Sequence, residues 1–204
     1  MKNYYKNLKL LTKNHVYSKE MEHDACGVGV IVSTEGKKSR EIVEHGINAL
    51  KAVWHRGAVD ADGKTGDGAG IHLEIPKDFF IEKIEVTGHD YDNAEICVGM
   101  IFLPRNDYSA QESCKTIVES ELTKNNFSIY GWRQVPVNPK ILGQKALQTM
   151  PEIIQVLFKS NDQDLLEKDL ERKIYETRKK IEKKAFQLSL NNFYICSISS
   201  KSII

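Results

Sequence analysis

The chain has 204 residues, 41% of them hydrophobic and 28% charged, with a formal net charge of +1. These proportions suit a globular domain with a real core. The near-neutral balance gives no electrostatic case for a nucleic-acid or membrane-surface partner. No apolar run approaches the roughly 18 residues of a bilayer span. Four cysteines without a close pair argue against a metal site, CxxC redox chemistry and a disulfide scaffold, so a reducing cytoplasm is the expected compartment.

Residues 1–25 are polar, rich in Lys, Asn and Tyr, and patternless, which predicts a leader or loosely ordered arm. Their one apolar patch, around Leu10, is broken by Lys9 and is too short for a secretory signal. The pattern changes at Cys26. Gly27, Val28, Gly29, Val30, Ile31 and Val32 predict a strand over 26–32, followed by a turn over 33–36. Ser39 can cap a helix reaching Trp54, in which Val43, Ile47, Leu50 and Trp54 recur at helical spacing and predict a buried face. His55, Arg56 and Gly57 end it. A loop dense in Gly and Asp over 58–70 leads to a strand over 71–75. Pro76 then opens a short helix carrying Phe79, Phe80 and Ile84.

The stretch 95–103 is apolar on both faces, which predicts a strand buried on both sides. Residues 109–124 read as an amphipathic helix with Cys114, Ile117, Val118 and Leu122 inward. A strand over 127–135 precedes a Pro-rich connection through Pro139, and another strand covers 152–158. Residues 162–186 predict a long helix with Leu166, Leu170, Ile174 and Ile181 on one stripe, acidic at its start and basic at its end, as the helix dipole favours. A last strand covers 192–199. This order of elements predicts a layered α/β or α+β domain.

Three groups of residues bear on chemistry. A cysteine at the head of an apolar strand is ordinarily core, but Gly27 and Gly29 clear space around Cys26. If the chain were cut before Cys26, an α-amine with a pKa of about 7.7–8.0 would stand on the same residue as the thiol and could serve as its base. Arg56 could grip a carboxylate with its guanidinium fork, or could satisfy the last carbonyls of its helix with Gly57 as the cap. The run Thr65-Gly66-Asp67-Gly68-Ala69-Gly70 lacks the lysine of a P-loop, precedes a strand where a dinucleotide loop opens a helix, and has no EF-hand acidic ladder. Its glycines bring backbone close to a ligand or another strand, or form a plain tight turn. Lys179, Lys180, Lys183 and Lys184 alternate with glutamate and read as a solvated helix face, and His72 and His89 are isolated.

Together, the segment Glu22-His23-Asp24-Ala25-Cys26-Gly27-Val28-Gly29, the block His55-Arg56-Gly57-Ala58, the run Thr65 to Gly70, and Phe193-Tyr194-Ile195-Cys196-Ser197 resemble the amidotransferase domain of glutamate synthase large subunits, from about residue 20 onward. The resemblance implies a class II glutamine amidotransferase: an α+β, N-terminal-nucleophile (Ntn) hydrolase-like αββα sandwich, here incomplete. It implies a leader over 1–25 and the N-terminal part of the domain over 26–204. Cys26 would be the nucleophile and its freed amine the base. Arg56 and Gly57 would help hold glutamine, and Asp67 and Gly68 would belong to the substrate-binding segment, with no chemical role assigned to Asp67. The segment would need no cofactor. FMN and an iron–sulfur cluster would belong to the remaining synthase polypeptide, its expected partner. The family's oxyanion-hole Asn-Gly pair lies downstream of residue 204, and Asn48, Asn191 and Asn192 do not match it. Two other readings stand beside this one: a non-catalytic truncated relic, and a small α/β binding module in which Cys26 is structural.

Overall fold

A computed structural model describes residues 6, 7, 9, 10, 27–54, 57–162 and 165–204. The chain divides into two compact units, Met1–Gly46 and Ile47–Ile204.

In the first unit, residues 27–33 form no strand. Val28 is 90% exposed, and Val30 and Val32 are exposed as well. The strand expected over 26–32 is therefore absent in its described part. β-Branched residues suit a strand, but a strand exists through its hydrogen-bonded ladder, and no described segment pairs with this one. The turn at 33–36 forms as expected: the Gly36 amide donates to Ser33 O at 3.1 Å. Helix α1 (Arg40–Ala52) follows, and the Ile42 amide donates to Ser39 Oγ at 3.4 Å, the expected cap. The helix crosses the boundary between the units. Its expected buried face is not buried: no residue of α1 is, and Trp54 just beyond it is 77% exposed. Periodicity identifies an apolar face, and burial depends on what covers it.

The second unit is built on a four-stranded antiparallel sheet, ordered β3-β4-β2-β5, from β2 (Cys97–Leu103), β3 (Phe127–Gln134), β4 (Glu152–Ser160) and β5 (Tyr194–Ser199). A two-stranded ladder pairs β1 (Leu73–Glu74) with β6 (Ser202–Ile203). The strand expected over 71–75 thus shortens to two residues, as long as its partner. Between the strands lie α2 (Lys77–Val86), α3 (Tyr108–Lys124), a 3-10 turn at Pro139–Ile141, α4 (Gln144–Thr149) and α5 (Glu167–Gln187).

Alternation along the strands divides the apolar residues between two cores. Cys97, Ile101 and Leu103 of β2 and Ile154, Val156 and Phe158 of β4 pack with Cys114, Val118 and Leu122 of α3 and Ile174 and Ile181 of α5. On the opposite face, Val98 and Leu157 pack with Phe80 and Ile84 of α2, Ile75, Ile96, Tyr130 and Ile203. Both faces of β2 are covered, as its two-sided apolarity predicts. Each fully buried Leu, Ile or Phe contributes up to about 1.5–3 kcal/mol by this burial. A register shift between Ile129 and Gly131 lets both Tyr130 and Trp132 meet apolar neighbours on opposite faces. Leu166, expected on the buried stripe of α5, is exposed and precedes the helix. The arrangement is α+β.

Polar bonds fasten α5 to its surroundings. Lys184 of α5 pairs with Glu121 of α3, which is buried. Arg178 Nη2 donates to Ile195 O at 2.8 Å, and Glu171 accepts from the Ser200 amide and hydroxyl, each at 2.7 Å. Lys179 is held by Glu182 at 2.5 Å and Lys180 by Asn125 Oδ1 at 2.5 Å, so with Lys184 three lysines of the basic run are engaged with neighbouring side chains of the protein.

Candidate active site

The Gly- and Asp-rich segment is a small hairpin whose backbone accounts for its composition. Val59 and Gly66 form an antiparallel bridge. The Asp60 amide donates to Thr65 O at 2.7 Å, and the Asp67 amide to Ala58 O at 3.3 Å. At the base, Asp67 Oδ2 accepts from the Ala58 amide at 2.9 Å. At the tip, Gly63 turns at φ +66, a left-handed conformation that favours glycine.

Asp62 orders that tip. Its Oδ1 accepts from the amides of Lys64 at 2.9 Å and Thr65 at 2.7 Å, and its Oδ2 accepts from the Thr65 hydroxyl at 2.6 Å. The Thr65 hydroxyl above all, then the two amides, hold the Asp62 carboxyl well below the usual carboxylate range. The same tip docks on the start of α4. Lys145 Nζ reaches Asp60 Oδ2 at 2.6 Å, the Lys145 amide points at Asp62 Oδ2 at 3.5 Å, and the Ala146 amide donates to Thr65 Oγ1 at 3.4 Å. Gly143 is buried beneath it.

Gly57, Asp67 and Gly68, all expected at the site, lie on this exposed segment. The Gly57 amide closes the turn after α1 by donating to Trp54 O at 3.1 Å. Asp67 has one oxygen engaged in closing the hairpin. Gly68 has open space where a side chain would stand. Cys26 and Arg56 lie outside the described residues. The contribution of Gly143 and Lys145 carries no signal in the sequence, because their partners are distant along the chain. The Asp62–Thr65 turn pair is the one signal of this contact that the sequence carries, and the reading of the loop over 58–70 does not single it out.

The described cysteines are poor nucleophiles. Burial pushes the Cys97 thiol far up and the Cys114 thiol up to about 11, and it also raises that of Cys196. Among the described residues no group of three or more His, Cys, Asp or Glu side chains could hold a metal ion. No described helix is long and apolar enough to cross a membrane.

The family model for class-II glutamine amidotransferases matches residues 26–204. The chain is 50% identical over 198 residues to the glutamate synthase [NADPH] large chain of Azospirillum brasilense, covering 97% of this chain and 13% of that protein. It is 39% identical over 185 residues to the chloroplastic/mitochondrial ferredoxin-dependent glutamate synthase 1 of Arabidopsis thaliana, covering 90% of this chain and 11% of that protein. It is 38% identical over 204 residues to the ferredoxin-dependent glutamate synthase of Pyropia yezoensis, covering 96% of this chain and 13% of that protein. The chain therefore spans about an eighth of the length of these relatives. With the match running from Cys26 through the hairpin and the whole four-stranded sheet, the chain belongs to the class-II glutamine amidotransferases.

Proposed function

We propose that the chain is the glutamine-hydrolysing segment of a glutamate synthase, with an N-terminal-nucleophile (Ntn) fold and Cys26 as the nucleophile. The observation that carries this reading is the family match, whose first residue is Cys26. The buried, poorly acidic thiols of Cys97 and Cys114 support it by leaving them unsuited to the role. In this reading residues 1–25 are a leader, removed to free the Cys26 amine, and 26–204 is the amidotransferase segment.

The freed amine takes the proton of the Cys26 thiol, and the thiolate sulfur attacks the side-chain amide carbon of glutamine. The carbon–nitrogen bond breaks, and the amine's proton leaves with the nitrogen as ammonia. Water, deprotonated by the same amine, then attacks the glutamyl thioester. Glutamate departs and the thiol is restored. Arg56 pairs with the glutamine α-carboxylate through its fork, and Gly57, Asp67 and Gly68 shape the wall beside it. The remaining synthase polypeptide is the partner that consumes the ammonia with 2-oxoglutarate, in the cytoplasm. FMN and an iron–sulfur cluster belong to that remainder, and no residue of this chain is assigned to them.

The test is the intact mass of the purified chain before and after exposure to a glutamine-mimicking diazo ketone. Removal of residues 1–25 and a single adduct on Cys26, suppressed by glutamine, is the expected result. A folded chain that keeps its first 25 residues and takes no adduct, alone and with the remaining synthase polypeptide added, would refute the reading.

A further inference from the structure

We infer that Asp62 and Gly143 are positioning residues for glutamine, acting through the hairpin that carries Asp67 and Gly68. This inference rests on the glutamine-hydrolysing reading and names the device that holds its substrate-binding segment in place.

The segment 57–70 is exposed almost throughout, so apolar burial does little to fix its shape. Directed polar bonds do so instead. Asp67 closes the base against Ala58, and Asp62 gathers Lys64 and Thr65 at the tip. Those bonds would define a hairpin free to swing about its base. The fixed reference comes from α4, whose Lys145 and Ala146 reach Asp60 and Thr65.

Gly143 sets how closely the two parts approach. A Cβ on Gly143 would lie 2.6 Å from the Thr65 backbone nitrogen, and closer still to Thr65 Oγ1 and Asp62 Oδ2. Its backbone, at φ −70 and ψ 163, is open to any residue. Glycine is therefore required at 143 by the hairpin and not by the local conformation. Backbone nitrogen and a hydrogen-bonded carboxylate cannot yield as the end of a flexible side chain can, so a methyl group there must displace the hairpin. Position matters for a wall that holds substrate: a displacement of about 1 Å can lower a rate by as much as about 10²-fold.

The two ends of the clasp can be loosened independently. Asp62→Ala removes the acceptor at the tip. Gly143→Ala removes no hydrogen-bonding group and acts by bulk alone. Thr65→Ser keeps the hydroxyl and is the conservative control. The protein is labelled at Cys26 with the diazo ketone over a series of glutamine concentrations, together with the remaining synthase polypeptide if labelling requires it. Unfolding temperature and amide exchange at Lys64, Thr65 and Gly68 are recorded on the same samples. Both alanine variants should raise the half-protecting glutamine concentration about tenfold, with faster exchange along the hairpin and nearly the unsubstituted unfolding temperature. Thr65→Ser should behave as the unsubstituted protein. Faster hairpin exchange with unchanged glutamine protection overturns the positioning role while leaving Cys26 as nucleophile. A hairpin whose exchange is unaffected in both variants overturns the clasp itself. Absence of glutamine-protected labelling in the unsubstituted protein overturns the glutaminase reading and the positioning role with it, and it is recognised because it precedes any substitution.

Discussion

Gly99 of β2 stands opposite Val156 of β4, and a Cβ on Gly99 would lie 2.7 Å from Val156 Cγ1. The pair sits at the centre of the sheet, where Ile198 of β5 closes in from the other side at 3.5 Å. Gly99→Ala should destabilise the second unit by about 1–3 kcal/mol through overpacking. Val156→Ala should destabilise it too, by opening space in the core. Because each change supplies what the other lacks, the double variant should cost well under the sum. Denaturant unfolding of the four proteins checks this. Additive losses would show that Gly99 is not set by the volume of Val156.

The elements legible in the sequence are those whose burial lies within one helix or one strand pair. The apolar run 95–103, the inward stripe of 109–124 and the run Glu152 onward all became parts of the main core. Their own periodicity was sufficient. The misreadings share a different cause. Val28 to Val32 and the stripe of α1 have the right side chains, but strand pairing and burial need a partner that sequence alone does not supply. Helix α4 is six residues long and carries no apolar repeat, so the connection after Pro139 read as featureless. In the candidate segment, the glycine-rich run around Asp67 and Gly68 and the helix-ending Gly57 stood out in the sequence, while their place beside glutamine is what the resemblance implies. Gly143 did not stand out, because the need for a glycine there arises only when the hairpin folds onto it.

The buried thiols predict an alkaline loss of stability. Burial raises the Cys97 thiol far above its ordinary value and that of Cys114 to about 11, against an unfolded value of about 8.5. In the folded state both stay protonated where the unfolded chain would release protons, so stability is fully present below pH about 8.5 and falls as pH rises beyond it. Tyr130, raised chiefly by burial and then by its bond to Asp92, adds to the fall above pH about 10. Unfolding free energy measured from pH 7 to 10.5 should show this slope, and Cys97→Ala should flatten it. Native Cys97 and Cys114 should also resist alkylation. Rapid alkylation of either without unfolding would contradict their burial.

At the acid end the corresponding group is Asp92. Its carboxylate pairs with Lys159 and accepts from the Tyr130 hydroxyl at 2.6 Å, which lowers its pKa to about 2, with Lys159 the larger cause. A carboxyl depressed in the folded state stabilises it above the unfolded pKa of about 3.9, and this contribution is lost as pH falls through about 2. Carboxyl-carbon NMR titration should place Asp92 well below the ordinary aspartate value of about 3.9. Lys159→Met should raise its pKa more than Tyr130→Phe does. The reverse order would mean that the phenol, and not the ammonium, governs the carboxylate.

The bulge in β3 offers a contrast with Gly99, because two separate constraints act on one glycine. Gly131 sits at φ +150, outside the range that L side chains readily adopt, and a Cβ there would lie 2.9 Å from Thr87 Cγ2. Thr87 cannot simply withdraw, since its hydroxyl donates to Tyr130 O at 2.8 Å and anchors the end of α2 to the strand. Gly131→Ala should therefore cost about 1–3 kcal/mol for the backbone, with a steric contribution in addition. Thr87→Ser removes the obstructing methyl and keeps the hydroxyl. Added to Gly131→Ala, it should recover a share of the steric part, since Thr87 Cβ stays 3.0 Å from the new side chain, and leave the backbone part. Full recovery would show that only the methyl forbids a side chain at 131. No recovery would show that the methyl contributes nothing and that the φ angle and the Thr87 Cβ forbid a side chain at 131.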